Sequence, residues 1–166
     1  DTEWTFIDAS HVKAHQHSAG AVCKENQAIG TSAGGKTTKI HLAVDAYGLP
    51  IMFEVTGGHV HESQIASTLI ERLPESEATV ADKGYDSITI REHIQARGSI
   101  AVIPRKKNST IGNHDLDVYL YKLRHLVENA FARLKHFRAV ATRFDKLKRN
   151  FISTIALACI VIWLPM

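Results

Sequence analysis

Short apolar runs alternate along the chain with segments of helical periodicity. Five runs are rich in apolar and β-branched residues and are bounded by turn-forming residues, a pattern typical of strands. They cover residues 4–9, 39–45, 50–56, 78–81 and 100–103. The tetrapeptide 46–49 has the composition of a hairpin turn. The polar segment 11–35, rich in Gly, Ser, His and Ala, predicts a loop or a mobile arm.

Helical patterns fill most of the remaining chain. Amphipathic spacing predicts helices over residues 62–72 and 87–96 and one long helix over residues 116–137. Residues 151–164 are almost wholly apolar, but a membrane span needs about 20 such residues, so they predict a buried terminal helix. A first strand, an arm, a hairpin and then strand–helix alternation indicate an α/β fold. Its mixed sheet begins antiparallel, becomes parallel and is flanked by helices.

Composition and length are those of a soluble globular protein with one domain over residues 1–166. The chain is 45% hydrophobic and 22% charged, which excludes disordered and collagen-like classes. Cys23 and Cys159 form no C-x-x-C pair, so a disulfide framework is not expected and a cytoplasmic location is favoured. The chain begins with Asp1 rather than Met, and we expect an upstream segment to be absent from it.

The formal net charge of +3 is modest, but its distribution is uneven. Seven cations and a single acid, Asp145, fall within residues 133–149. The cations are Arg133, Lys135, Arg138, Arg143, Lys146, Lys148 and Arg149. Such a basic segment attracts phosphate through counter-ion release, although a solvated helix surface has a similar composition.

Two aspartates follow or end predicted strands. Asp8 lies near the end of the first strand, and Asp82 follows the apolar run 78–81. In sheets with parallel strands, ligands collect beyond the strand ends, and Mg²⁺ prefers carboxylate oxygens. Taken singly, an aspartate that follows a strand is more typical of a turn or a helix cap.

The predicted long helix adds a third carboxylate. At about 100° per residue, Tyr121, Arg124, Glu128 and Lys135 share an arc of roughly 60°. The apolar positions of the helix face elsewhere, so the helix can pack on a sheet while this polar stripe remains available. A surface helix with an i,i+4 ion pair between Arg124 and Glu128 is the alternative interpretation.

These residues resemble the transposases of bacterial insertion sequences, in the group that includes insertion sequences four and five. Tyr121-x₂-Arg124-x₃-Glu128-x₆-Lys135 fits that group's tyrosine–arginine–glutamate–lysine signature at every spacing. The segments 81–86 (ADKGYD) and 7–10 (IDAS) are similar to those around its two catalytic aspartates, and 34–41 (GGKTTKIH) to the link between its first strands. The resemblance covers nearly the whole chain.

The resemblance implies an RNase H-like fold with a mixed five-stranded sheet and a catalytic triad of Asp8, Asp82 and Glu128 that binds two Mg²⁺ ions, with Mn²⁺ as a substitute. It further implies hydrolysis at the ends of the mobile element and attack of the resulting 3′-hydroxyl on target DNA. Tyr121, Arg124 and Lys135 would bind DNA, and Arg138 of the basic segment is predicted to join them. A homodimer on DNA, near the bacterial nucleoid and away from the membrane, is expected.

Two departures and two alternatives accompany this interpretation. The interval between Asp82 and Glu128 is too short for the large domain that some relatives insert, and an N-terminal DNA-binding region is expected to be absent. A catalytically incomplete DNA-binding remnant and a stand-alone RNase H-like nuclease are the alternative functions. A zinc site is not favoured, because histidines such as His11, His15 and His59 lie in polar segments.

Overall fold

A mixed sheet occupies the centre of the fold. The computed structural model describes residues 2–22 and 25–164, and over these residues the sheet has seven strands. They are β1 (Trp4–Ala14), β2 (Gly30–Ser32), β3 (Gly35–Val44), β4 (Pro50–Gly57), β5 (Ala78–Ala81), β6 (Ile100–Val102) and β7 (Thr142–Arg143). The expectations concerning Asp1 and Cys23 lie outside the described residues.

The strand order confirms the predicted RNase H-like α/β fold. The five main strands lie in the order β4-β3-β1-β5-β6. The pairs β1–β3 and β3–β4 are antiparallel, whereas β1–β5 and β5–β6 are parallel. The two short strands add to this frame, since β2 pairs with the start of β3 and β7 with the end of β1.

Helices cover both faces of the sheet. They are α1 (Glu62–Arg72), α2 (Ile88–Ala96), α3 (Val118–Lys122), α4 (His125–Lys135), α5 (Arg138–Ala141) and α6 (Lys148–Trp163). Successive side chains of a strand point to opposite faces, so Ile7 joins the core formed with α1 and α2, whereas Phe6 joins the core formed with α4 and α6. Strand β1 is therefore packed on both sides, which fixes its position in the middle of the domain.

Strand β1 is longer than predicted. The loop assigned to residues 11–35 is wrong at both ends, because β1 continues to Ala14 and β3 begins at Gly35. Val12 lies opposite Thr38 and Lys13 opposite Thr37. Lys13 and Ala14, whose strand propensity is low, are held here by pairing with β7, a tertiary effect that local composition does not show.

The predicted long helix is also interrupted. It forms as α3 and α4, joined through Leu123 and Arg124. The N–H of Arg124 donates to the Tyr121 carbonyl and that of Val127 to the Arg124 carbonyl, so i→i+3 bonds tighten this turn. The prediction of one continuous helix is therefore wrong. No Gly or Pro lies between residues 116 and 137, so nothing in the local sequence signals the interruption.

The terminal helix α6 is buried on one face only. Phe151, Ile155, Ala158 and Ile162 are buried, whereas Leu157 is exposed. The prediction of a buried apolar helix is thus confirmed for one face of α6 and not for the opposite face. Within residues 2–22 and 25–164, no helix has the length and apolar character required to span a membrane.

One cation of the basic segment belongs to the interior. Arg143 is fully buried, and its guanidinium donates to Thr38 Oγ1 at 2.8 Å and to the carbonyl of Asp145 at 2.9 Å. It also lies over the Phe151 ring, 5.1 Å from its centroid. Arg143 therefore holds β3 against the start of α6 and does not contribute to the basic surface that the sequence suggested.

A buried histidine on β3 makes the fold sensitive to acid. His41 is fully buried, and its Nε2 pairs with Thr56 Oγ1 at 2.9 Å; among the described residues its Nδ1 has no partner. Burial lowers the pKa of His41 from 6.5 to about 4, with a further contribution from the charge of Lys39. The folded protein therefore keeps His41 neutral at pH values where the unfolded chain binds a proton.

We predict that the free energy of unfolding falls as the pH drops from about 6.5 to about 4. The loss assigned to His41 reaches about 3 kcal/mol below that range, because each pKa unit of difference is worth about 1.4 kcal/mol. Urea unfolding of wild type and His41→Gln across this range measures it, with the exposed His125→Gln as the matched control. The His41→Gln curve should be flatter; parallel curves for all three proteins would contradict the assignment.

Candidate active site

The pairing of β1 with β5 brings two aspartates together. Ile7 lies beside Ala81 in parallel register, so Asp8 and Asp82 follow at the same level of the sheet. Strand β5 ends there, and β7 joins the same edge of β1 only at Lys13. Asp8 is thus in the middle of β1 rather than near its end, next to an opening between two strands that both run parallel to β1.

Asp82 is fixed by the turn that follows β5. Its Oδ1 accepts a hydrogen bond of 2.6 Å from the N–H of Gly84, in a 3₁₀ turn over Lys83–Tyr85. A Cβ atom on residue 84 would lie 2.7 Å from that same oxygen, so glycine permits the close approach. The sequence motif around Asp82 therefore has a local structural reason: the turn orients the carboxylate.

Asp8 is mostly enclosed. Its side chain is 19% exposed, its Oδ1 accepts from the Ala9 N–H at 2.8 Å, and its Oδ2 accepts from Arg124 Nη1 at 2.6 Å. Burial raises the pKa of Asp8, and the negative charge of Asp82 raises it further. The Ala9 N–H and the Arg124 charge act in the opposite direction without cancelling these effects.

One guanidinium links the strand acid to the helix acid. Arg124 donates from Nη1 to Asp8 and from Nη2 to Glu128 Oε1. Burial alone would lower the pKa of Arg124, but the charges of Asp8 and Glu128 outweigh it and raise that pKa. The i,i+4 pair considered from the sequence is therefore present, and the same side chain also reaches across to β1.

Two of the three predicted acids, Asp8 and Glu128, thus meet at Arg124. Glu128 is half exposed and contacts the guanidinium, and Asp82 acts on Asp8 through its charge. In the part of the chain that the structure describes, no three His, Cys, Asp or Glu side chains are grouped closely enough to bind one metal ion. The carboxylates are neighbours whose charge is balanced by an internal cation.

Lys135 makes a second link between α4 and β1. Its Nζ donates to Ser10 Oγ at 2.6 Å, and burial lowers its pKa. Ser10 lies two residues after Asp8 and therefore on the same face of β1. Arg124 and Lys135 attach one side of the helix to consecutive positions of that face. The sequence did not predict Ser10 as a site residue, although its i,i+2 spacing from Asp8 places both side chains on one face of a strand.

The other predicted DNA-binding residues differ in exposure. Tyr121 is half buried and packs against the core on the α4 and α6 side of the sheet, while Arg138 is exposed at the start of α5.

Tyr85 is a further residue near the acids that the sequence did not predict. It is buried, its hydroxyl has no hydrogen-bond partner within residues 2–22 and 25–164, and burial together with the charges of Asp8, Glu62 and Asp82 raises its pKa.

The RNase H-like sheet thus carries acidic side chains beside the end of β5. Residues 1–163 match the family model described as the transposase DDE domain. The chain belongs to this family, whose members are enzymes that act on DNA and generally use divalent metal ions. The narrower assignment to the group of insertion sequences four and five stays a prediction.

Three curated relatives are transposases of bacterial insertion sequences. The putative transposase of IS6501 from Brucella ovis is 36% identical over 132 residues, which are 77% of this chain and 98% of the relative. The transposase of IS1106 from Neisseria meningitidis serogroup B is 31% identical, over 74% of this chain and 44% of the relative. The putative transposase of IS402 from Burkholderia cepacia is 28% identical, over 75% and 62%. The chain therefore spans less than two thirds of the latter two relatives.

A solved structure with partial similarity is a chain of the piggyBac transposase synaptic complex with hairpin DNA. It aligns with 66% of this chain and 24% of its own length, at 12% identity and a TM-score of 0.42. This likeness is too low to add to the family assignment.

We predict that Arg124→Gln raises the pKa of Asp8 above its already elevated value. The substitution removes the neighbouring positive charge that favours the ionised carboxylate, while burial and Asp82 still oppose ionisation. Carboxyl ¹³C NMR titration in metal-free buffer measures the shift. Asp115, whose pKa is lowered by Arg105, is the internal control and should not move. An unchanged or lower pKa for Asp8 would contradict the assigned contact.

Proposed function

We propose that this domain cleaves DNA at the ends of an insertion sequence and transfers the resulting 3′-hydroxyl to target DNA. The observation that carries this proposal is the convergence of Asp8 and Glu128 on one cationic group, with Asp82 at the same level of the sheet. Membership of the transposase family supports the substrate class.

The donor types fit divalent metal ions, and a shared site would require the three side chains to come closer together than they lie in the structure. All three donors are carboxylates, the oxygen ligands that Mg²⁺ and Mn²⁺ prefer, and two of them already place oxygens on a single positive group. The excess negative charge raises the pKa of the enclosed Asp8, after the larger effect of burial. We propose that Asp8, Asp82 and Glu128 hold two Mg²⁺ ions, with Mn²⁺ able to substitute.

The chain's own residues would position the substrate for this chemistry. Bound divalent ions would activate the attacking oxygen and stabilise the leaving oxygen. Arg124 and Lys135 carry guanidinium and ammonium donors beside the acids, suited to the phosphates on either side of the reacting bond. Tyr121 offers an aromatic ring to an unpaired base at the DNA end. Arg138, exposed at the start of α5, would extend the phosphate contacts.

A transposition event requires two element ends to be held at once. We therefore propose that two copies of the protein assemble on DNA. The two alternatives, a DNA-binding remnant and a nuclease that does not join DNA, differ from this proposal in measurable products. A remnant binds DNA without metal-dependent cutting, and a simple nuclease cuts without joining.

We predict that Asp8→Asn, Asp82→Asn and Glu128→Gln each reduce Mg²⁺-dependent cleavage of DNA carrying the element's ends by at least about a hundredfold. Each substitution removes a ligand charge that contributes several kcal/mol to the transition state. Gel analysis of cleaved and joined products measures the effect. Asp115→Asn and Glu71→Gln, two exposed acids in ion pairs elsewhere, are matched controls and should retain activity. Full cleavage by any of the three variants would remove that residue from the site.

We predict that Lys135→Ala and Arg138→Ala each weaken DNA binding and lower its salt dependence. Each lost phosphate contact reduces the slope of log affinity against log salt by about one unit. Fluorescence anisotropy with a labelled duplex at several salt concentrations measures the slope. Arg72→Ala, which removes a cation paired with Glu54, is the control. A slope equal to that of wild type would show that the substituted side chain does not contact the DNA backbone.

A further inference from the structure

Arg124 occupies the carboxylate oxygens that the proposed metal site requires. Its Nη1 lies 2.6 Å from Asp8 Oδ2, and its Nη2 contacts Glu128 Oε1. Both oxygens already accept a charge-assisted hydrogen bond. A divalent cation that used these oxygens would meet the positive guanidinium at the same place, so the two cations compete.

The backbone holds Arg124 in this position. The residue lies at the junction of α3 and α4, where i→i+3 bonds tighten the chain, and its own φ and ψ of −55° and −21° remain helical. Its side chain is 22% exposed and Asp8 is 19% exposed, so the pair is partly shielded from water. Without a cation, the neighbouring acids would repel one another, and the guanidinium removes that cost.

The Glu128 side of the Arg124 ion-pair network is accessible to solvent. Its side chain is 51% exposed, and Arg124 contacts it with the nitrogen that does not bind Asp8. A guanidinium binds phosphate in the same forked geometry that it uses for carboxylates. A DNA phosphate that approaches from the Glu128 side can therefore replace the carboxylates as the partner of Arg124. The guanidinium then stays paired with a negative charge throughout the exchange.

We propose that Arg124 is an internal counter-ion that excludes divalent cations from the acids until a DNA phosphate draws its guanidinium away. This inference rests on the proposed function of the three acids as metal ligands. The cation and DNA then bind cooperatively, and by linkage each must raise the affinity for the other by the same factor. Without DNA, the acids would therefore bind divalent cations only weakly.

The test is the affinity for Mn²⁺, measured by isothermal titration calorimetry with and without a short duplex. Arg124→Gln removes the charge, and Arg72→Gln removes a cation that pairs with Glu54 and serves as the matched control. Without DNA, Arg124→Gln should bind Mn²⁺ at least about tenfold more tightly than wild type and the control, within the usual range of coupling between sites. The gain in Mn²⁺ affinity on adding DNA should be smaller in Arg124→Gln by a similar factor.

Arg124→Lys provides a second variant. Lysine keeps the charge but lacks the planar fork that contacts two acids at once, so its Mn²⁺ affinity should lie between those of wild type and Arg124→Gln. Thermal melting without metal checks that each variant is folded. Binding of Mn²⁺ that is equal in wild type and Arg124→Gln, or weaker in the variant, overturns the inference and leaves the proposed function intact. Binding that is undetectable in all proteins, with or without DNA, overturns the metal site together with the inference.

Discussion

The arrangement of this domain depends on balancing negative charge in a partly enclosed space. Asp8 in β1 and Asp82 just after β5 lie at the same level of the sheet, and Glu128 approaches from the helix packed on one face. Carboxylates in such a setting repel, and burial opposes their ionisation, as the raised pKa of Asp8 shows. Arg124 resolves the conflict within the chain by contacting Asp8 and Glu128 at once. The Arg124 side chain, which the sequence alone would place in a surface ion pair with Glu128, therefore also joins the start of α4 to the central strand.

The fold supplies the rigidity that this charge balance needs. Strand β1 lies between β3 and β5 and is covered by a core on each face, so Asp8 has a fixed position. On the α4 side, Val127 and Leu134 are fully buried and fix the rotation of the helix, while Lys135 donates to Ser10. The opening between the end of β5 and the start of β7 leaves space beside these polar groups. Acidic and basic side chains are thus held on one surface, as the proposed action on DNA phosphates requires.

Much of this could be predicted from the sequence, because apolar periodicity reports burial. The five main strands, the helices α1 and α2, and the polar stripe with Arg124 and Glu128 all follow from spacing. Three features could not be predicted, since each depends on distant contacts. Strand β1 extends through a polar segment because β3 pairs with it, the helix tightens at Arg124 without a Gly or Pro, and Arg143 is buried among backbone carbonyls rather than exposed with its basic neighbours. Periodicity places Arg124 and Glu128 together but cannot show that Asp8 shares the same guanidinium.

We propose that Asp8, Asp82 and Glu128 draw together around divalent cations against a DNA phosphate once Arg124 has moved away. Anomalous diffraction from crystals of the protein bound to DNA in Mn²⁺ would test it most directly. The result expected is manganese density bounded by the three carboxylates, with the Arg124 guanidinium moved onto a phosphate. Manganese located away from these acids, with Arg124 still bridging Asp8 and Glu128 on bound DNA, would contradict the claim.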